Sequence, residues 1–166
     1  MFYVQGVRTR IVVEEGTVNY ATFNSWLDAF RRAWETRDAQ AFADLFTEDA
    51  TYQERPHKRP LHGRAAILGY ASRNMRFQDQ IRFGYEILAV TDATGIARWE
   101  ASFAIPLGTQ VKLDGILLIS MNDVNRCTMF REWWHMQVRP SPRTIAAVFG
   151  VAATSLLMLS RGKRRV

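Results

Sequence analysis

Four stretches with a side-chain period of two follow one another between Gln80 and Val138. They are Gln80–Thr91, Gly95–Ile105, Gln110–Met121 and Cys127–Val138, rich in Ile, Val, Leu, Phe and Trp. Successive strand residues point to opposite faces, so this alternation predicts four strands. The gaps carry turn chemistry: Asp92-Ala93-Thr94-Gly95, Pro106-Leu107-Gly108 and Asn122-Asp123-Val124-Asn125. Gaps this short join antiparallel neighbours, because a parallel crossover needs about a dozen residues or more.

The period differs upstream. Phe23, Trp26, Leu27, Phe30, Ala33 and Trp34 recur at helical spacing and predict a helix over 20–36, with Asn24 or Thr22 as its cap. A shorter helix is expected from Asp38 to Phe46, capped by Asp38, with Ala41, Phe42, Leu45 and Phe46 on one side. Residues 49–56 read as a strand ended by Pro56, and the loop HKRPLHG follows. A third helix is expected over Gly63–Met75, with Ala66, Ile67 and Tyr70 inward. Helices first and consecutive strands later define an α+β class with a mostly antiparallel sheet. Residues 1–19 read as an N-terminal arm with a short strand around Arg10–Val13; Arg8 and Arg10 interrupt its apolar opening too early for a secretory signal.

At 166 residues the chain suits one domain and a short appendage. The lone cysteine, Cys127, excludes an intramolecular disulfide framework and a Cys-based zinc site, and reads as a small apolar residue. No H-x-H, H-E-x-x-H or carboxylate cluster has metal-ligand spacing, and no glycine-rich phosphate loop or G-x-S-x-G is present. The expectation is therefore no metal and no cofactor.

The net charge of +6 belongs to the tail. From Trp133 to Val166 there is no Asp or Glu, and six of the 22 basic residues lie there; the 16 that remain balance the 16 acidic ones. Nucleic-acid binding needs basic groups across a folded face, so it is not expected. Within the 139–166 tail, Ile145–Ser160 holds no charge and is bounded by Arg143 and by Arg161-Gly-Lys-Arg-Arg. As a helix it would be about 24 Å long, slightly short of a ~30 Å hydrocarbon core, although flanking basic residues can snorkel. This predicts a C-terminal apolar helix in contact with a membrane, holding a cytoplasmic domain there. The alternative is a helix packed on the domain.

The pattern W-x7-W-x3-D (Trp26, Trp34, Asp38), then LFTEDATY, then P-x6-G-R-x2-I (Pro56, Gly63, Arg64, Ile67) resembles the SnoaL-like branch of the nuclear transport factor 2-like superfamily. RWEASF, LDGILLI and FREWWH match the same branch, and the likeness covers roughly residues 20–138. The resemblance implies a cone, a cystatin-like α+β barrel, in which a curved sheet wraps a pocket that N-terminal helices close. Such domains include ketosteroid isomerases, polyketide cyclases, epoxide hydrolases and dehydratases, and also binding domains without catalysis.

The resemblance also points to residues. Glu54 takes the place of the isomerases' general-base Asp after the phrase A-T-x-x, here Ala50-Thr51-Tyr52-Gln53-Glu54. Alternation puts Tyr52 on the same face, and a carboxylate in an apolar cone has a raised pKa. The alternative for Glu54 is a rim position paired with Arg55, Lys58 or Arg59. Asp114 interrupts an apolar strand near the isomerases' protonated Asp; the alternative is a structural pair with Arg98, a tryptophan N–H or a backbone amide. Alternation on the last strand places Phe130, Glu132, Trp134 and Met136 on one face, with Trp134 as the pocket aromatic. Glu132 is thereby a candidate for substrate contact, and His135 is another, although it faces out unless a bulge intervenes. Trp99, Trp26 and Phe30 are candidates for the pocket wall, and His57, in the Pro- and Lys-containing loop, for its mouth.

The expected ligand is a small apolar molecule bearing a carbonyl or hydroxyl. Acid/base catalysis without a cofactor, a vestigial pocket in a binding or assembly module, and an interaction protein recruited to membranes all fit these residues. Leu113, Leu117 and Ile119 fall on one face of the sheet and Ile116 and Leu118 on the other. The outer apolar face predicts a homodimer through the sheet.

Overall fold

The computed structural model describes residues 18–91 and 94–147. Helix α1 spans Tyr20–Glu35 and buries Phe23, Trp26, Leu27, Phe30 and Ala33 on one face. Its cap is Asn19, not Asn24 or Thr22: the Asn19 side chain accepts from the Thr22 amide at 2.9 Å. Thr22 Oγ1 accepts from the Asn19 amide at 3.1 Å, closing a reciprocal box. Helix α2 is short, Ala39–Ala43, capped by Asp38 as expected. It stops before Phe46 because that residue opens a strand and is fully buried.

Strand β1 spans Phe46–Gln53, earlier than 49–56. It ends at Gln53, whose side-chain amide donates to the carbonyls of Pro56 and Lys58, both at 3.3 Å, and turns the chain. A two-residue strand β2, Leu61–His62, returns antiparallel to β1 inside the expected loop. Gly63 follows at φ +83°, a left-handed geometry that favours glycine. It launches α3, Arg64–Met75. Arg64 then donates from Nε to the Phe46 carbonyl at 3.0 Å and pairs with Glu48 at 2.8 Å, tying α3 to β1. Ile67 is buried and Ala66 is exposed, so Ala66 does not face inward.

The long strands fall where the period of two places them: β3 Asp79–Val90, β4 Thr94–Ile105, β5 Thr109–Met121 and β6 Cys127–Arg139. The sheet order is β2-β1-β6-β5-β4-β3. All described pairings are antiparallel except β1 with β6, where Tyr52 lies beside Phe130. The sheet curves round α1; a large aromatic-rich core packs between them, with a smaller cluster of Ile81, Phe103 and Val111 beside it. The fold is the expected α+β cone closed by N-terminal helices.

After β6 the chain is helical over 142–147. No helix among the described residues is long and apolar enough to cross a membrane. The arm strand near Arg10–Val13, and most of the apolar run Ile145–Ser160, lie outside the described residues.

Candidate active site

A cavity of about 160 Å³ opens between α1, α3 and the concave face. A dry cavity of roughly 150 Å³ holds a benzene-sized molecule, which sets the scale of the ligand portion it can enclose. Most of the wall is apolar: Phe30, Trp34, Trp99, Phe103, Leu113 and Trp134 contribute. Gly115 lies between Trp99 of β4 and Trp134 of β6 in one rung of the sheet. A Cβ on Gly115 would stand 2.3 Å from the Trp133 carbonyl oxygen and 2.7 Å from Trp134 Cβ.

The polar centre is a pair. Tyr52 Oη donates to Glu132 Oε1 at 3.0 Å, and both residues are buried. The Tyr52 ring stacks on Phe130, 4.5 Å between centroids and 3° between planes. Burial pushes the Glu132 carboxyl up to about 8; the bond from Tyr52 opposes this, the negative charge of Glu54 adds to it and Arg55 opposes it. At neutral pH Glu132 is therefore largely protonated. Burial, and next Glu132, raise the Tyr52 pKa well above that of a free phenol, so Tyr52 stays O–H. Tyr70, from α3, lies 5.3 Å from the Tyr52 ring and is held protonated in the same way, mainly by burial.

Glu54 sits just past the end of β1 and lines the mouth. It pairs with Lys58 at 3.0 Å and Arg55 at 3.7 Å. Arg55 in turn lies over the Trp134 ring, 4.7 Å from its centroid. Glu54 is thus a rim carboxylate held by cations, and Glu132 is the carboxyl that burial loads with a proton. Trp34 donates to Gln78 Oε1 at 2.7 Å across the wall, while the Trp99 indole N–H has no acceptor among the described residues.

Four of the residues singled out from sequence lie elsewhere. Asp114 is on the convex face and bonds Arg98, because Leu113 and Gly115 on either side face the concave side. It is absent from the pocket wall. His135, opposite Asp114, is exposed on the same outer face. His57 is exposed in the loop and does not line the cavity. Trp26 lies in the core behind the pocket and donates to the Leu45 carbonyl at 3.2 Å. Tyr52, Glu54, Glu132, Trp99, Trp134 and Phe30 do converge on the cavity. Sequence reading missed Tyr70 as a site group; its signal was its inward position on α3. Cys127 is fully buried, with burial raising its thiol pKa, as a small apolar residue would be placed. No cluster of three or more metal-ligating side chains occurs among the described residues.

A curved sheet closed by helices around a tyrosine–carboxyl pair defines a cone-type pocket protein. Residues 27–127 match the SnoaL-like domain family, and the chain belongs to it. Solved structures share the fold. The epoxide hydrolase/cyclase-like enzyme SalBIII of pyran ring formation in the polyether salinomycin is 19% identical, with a TM-score of 0.62 over 70% of this chain and 95% of that one. A putative isomerase from Bacillus subtilis is 20% identical, with a TM-score of 0.63 over 80% and 96%. A computationally designed 17-OHP binder is 12% identical, with a TM-score of 0.63 over 71% and 98%. At these identities the likeness establishes the fold alone. No curated protein matches the chain.

Proposed function

We propose that the domain is a cofactor-independent acid/base enzyme acting on a small apolar compound that bears a carbonyl, epoxide or hydroxyl oxygen. The observation that carries this reading is a buried Glu132 bonded to Tyr52 inside an apolar cavity, where burial pushes its carboxyl pKa up to about 8. Glu132 gives its proton to the substrate oxygen, and an O–H bond forms as a C–O or C=O bond polarises. The carboxylate left behind keeps the Tyr52 hydrogen bond and recovers a proton released elsewhere on the substrate. Proton balance then suits isomerisation, cyclisation or loss of water, with no external oxidant or reductant. Glu54, Trp99 and Trp134 enclose the ligand.

The test is a panel of small apolar ketones, epoxides and alcohols incubated with the protein alone. Turnover should fall by roughly 10²–10⁴-fold in Glu132→Gln and stay unchanged in Asp114→Asn. Ligands that bind but never convert would contradict the enzyme reading. They would favour a binding module, for which the cation-held Glu54 at the mouth speaks.

We also propose two attachments. Ile96, Ile116, Leu118 and Trp133 lie on the convex face, Trp133 43% exposed, and a second copy is the proposed cover. A monomeric mass by light scattering would contradict it. The uncharged run Ile145–Ser160 is proposed to hold the domain at a membrane; a full-length chain that fails to float with lipid vesicles would contradict that.

A further inference from the structure

Side chains that the pocket does not use gather at one end of the cone. That end comprises the C-termini of α1 and α3, the start of β3, the β4–β5 turn, the end of β6 and the helical residues after it. Arg37, Arg76, Phe77, Asp79, Ile105 and Pro106 surround one cleft there. Four large apolar residues stand half-exposed at this end: Phe77 at 51%, Leu107 at 53%, Val138 at 46% and Ile145 at 45%. Single exposed apolar residues need no explanation, but a grouped set does.

Leu107 is the most telling. It sits at φ +67°, the left-handed region that a leucine rarely adopts, and its side chain is half-exposed. Neither backbone preference nor burial accounts for a leucine at that turn.

The charges fit the same picture. Arg37, Arg76, Arg139 and Arg143 are exposed on this end, against Asp79, which pairs with Arg37 at 3.6 Å. Arg76 lies over the Phe77 ring, 4.3 Å from its centroid, so a cation and an apolar ring are presented together. The opposite end, around the Asn122–Asn125 turn and the start of β1, exposes Asp44, Glu48 and Asp123 alongside Arg126.

The uncharged run also starts here. Ser141 Oγ donates to the Leu107 carbonyl, and Thr109 and Thr144 share a hydroxyl hydrogen bond of 2.7 Å. Ile145, the first residue of Ile145–Ser160, is therefore fixed beside the β4–β5 turn. Gln78 lines both this cleft and the ligand cavity, so the rim adjoins the cavity.

We propose that this rim is a docking surface for an anionic lipid bilayer. Phe77 and Leu107 enter the headgroup region, and Arg37, Arg76, Arg139 and Arg143 meet lipid phosphates. The Gln78 side of the cavity then faces the membrane, which brings an apolar ligand dissolved in the bilayer close to the cavity. The docking needs no chemistry at Glu132, and it rests on side chains outside Ile145–Ser160, those of Phe77, Leu107 and the four arginines.

The test uses the full chain carrying Leu107→Cys labelled with an environment-sensitive fluorophore; Cys127 is buried and stays unlabelled. Vesicles of phosphatidylcholine with phosphatidylserine should shift the emission to the blue, and salt should weaken the shift. In the unlabelled chain, Phe77→Glu with Leu107→Asp should lower the vesicle partition coefficient by about tenfold or more. A label that stays water-like on vesicles that bind the protein would overturn the proposal and leave attachment to the tail alone. So would an unchanged partition coefficient in the double variant, no binding to anionic vesicles, or a blue-shifted label before any lipid is added, which would mean that the rim is already covered by protein.

Discussion

Replacing Glu132 by Gln is expected to flatten the pH dependence of stability. The fold holds the Glu132 carboxyl near 8, against about 4.3 in an unfolded chain, so folding favours the protonated form. The stability this contributes is complete below the unfolded pKa. It declines as pH rises and is gone above the folded one. Between them the slope is about 1.4 kcal/mol per pH unit, so warming scans at pH 5 and 7.5 should differ by about 3 kcal/mol from this group alone. The expected drop in Tm is on the order of 10 °C. The Gln side chain fills the same volume, can accept the Tyr52 hydrogen bond and does not titrate. Calorimetry on both proteins isolates the difference, since every other titrating group is shared. Equal pH slopes would mean that Glu132 is ionised in the folded protein.

Gly115→Ala is the second substitution with a large expected effect. Its Cβ would meet the Trp133 carbonyl oxygen at 2.3 Å and the Trp134 Cα at 3.0 Å. Those are backbone atoms, so relief requires β5 and β6 to separate rather than a rotamer to change. The expected cost is about 3 kcal/mol or more, with Trp134 displaced from the pocket wall. Gly84→Ala is the matched control. Its Cβ meets only the Glu100 side chain, at 3.5 Å, and it should cost less than about 1 kcal/mol. Denaturant midpoints measure both. Similar losses in the two variants would contradict the close approach at Gly115.

Local patterns carried most of the fold. The long strands and α1 were legible because their periods of two and 3.6 are uninterrupted and their turns are chemically marked. The cap of α1 was not, because Asn19 lies four residues before Phe23, outside the periodic run. The start of β1 was misread because Leu45 and Phe46 continue a helical spacing, and only the pairing of Phe46 with Cys127 decides otherwise. That pairing is parallel and distant in sequence, so no local pattern encodes it.

The site divides the same way. Parity alone separates Asp114 from the pocket once Leu113 is taken as inward. Glu54 was favoured for its place after the A-T phrase, but the strand ends one residue earlier, and Lys58 and Arg55 hold its carboxylate at the rim. Glu132 was placed on the pocket face, yet its partner Tyr52 is 80 residues away, and their bond follows only from laying β1 beside β6.

Infrared difference spectroscopy of the carboxyl C=O stretch, titrated through neutral pH in the wild type and in Glu132→Gln, tests the buried acid most directly. A protonated carboxyl band that persists to about pH 8 in the wild type and is missing from the Gln variant is the expected result. Carboxyl bands that vanish together in both proteins, at the ordinary carboxylate range near 4, would contradict it.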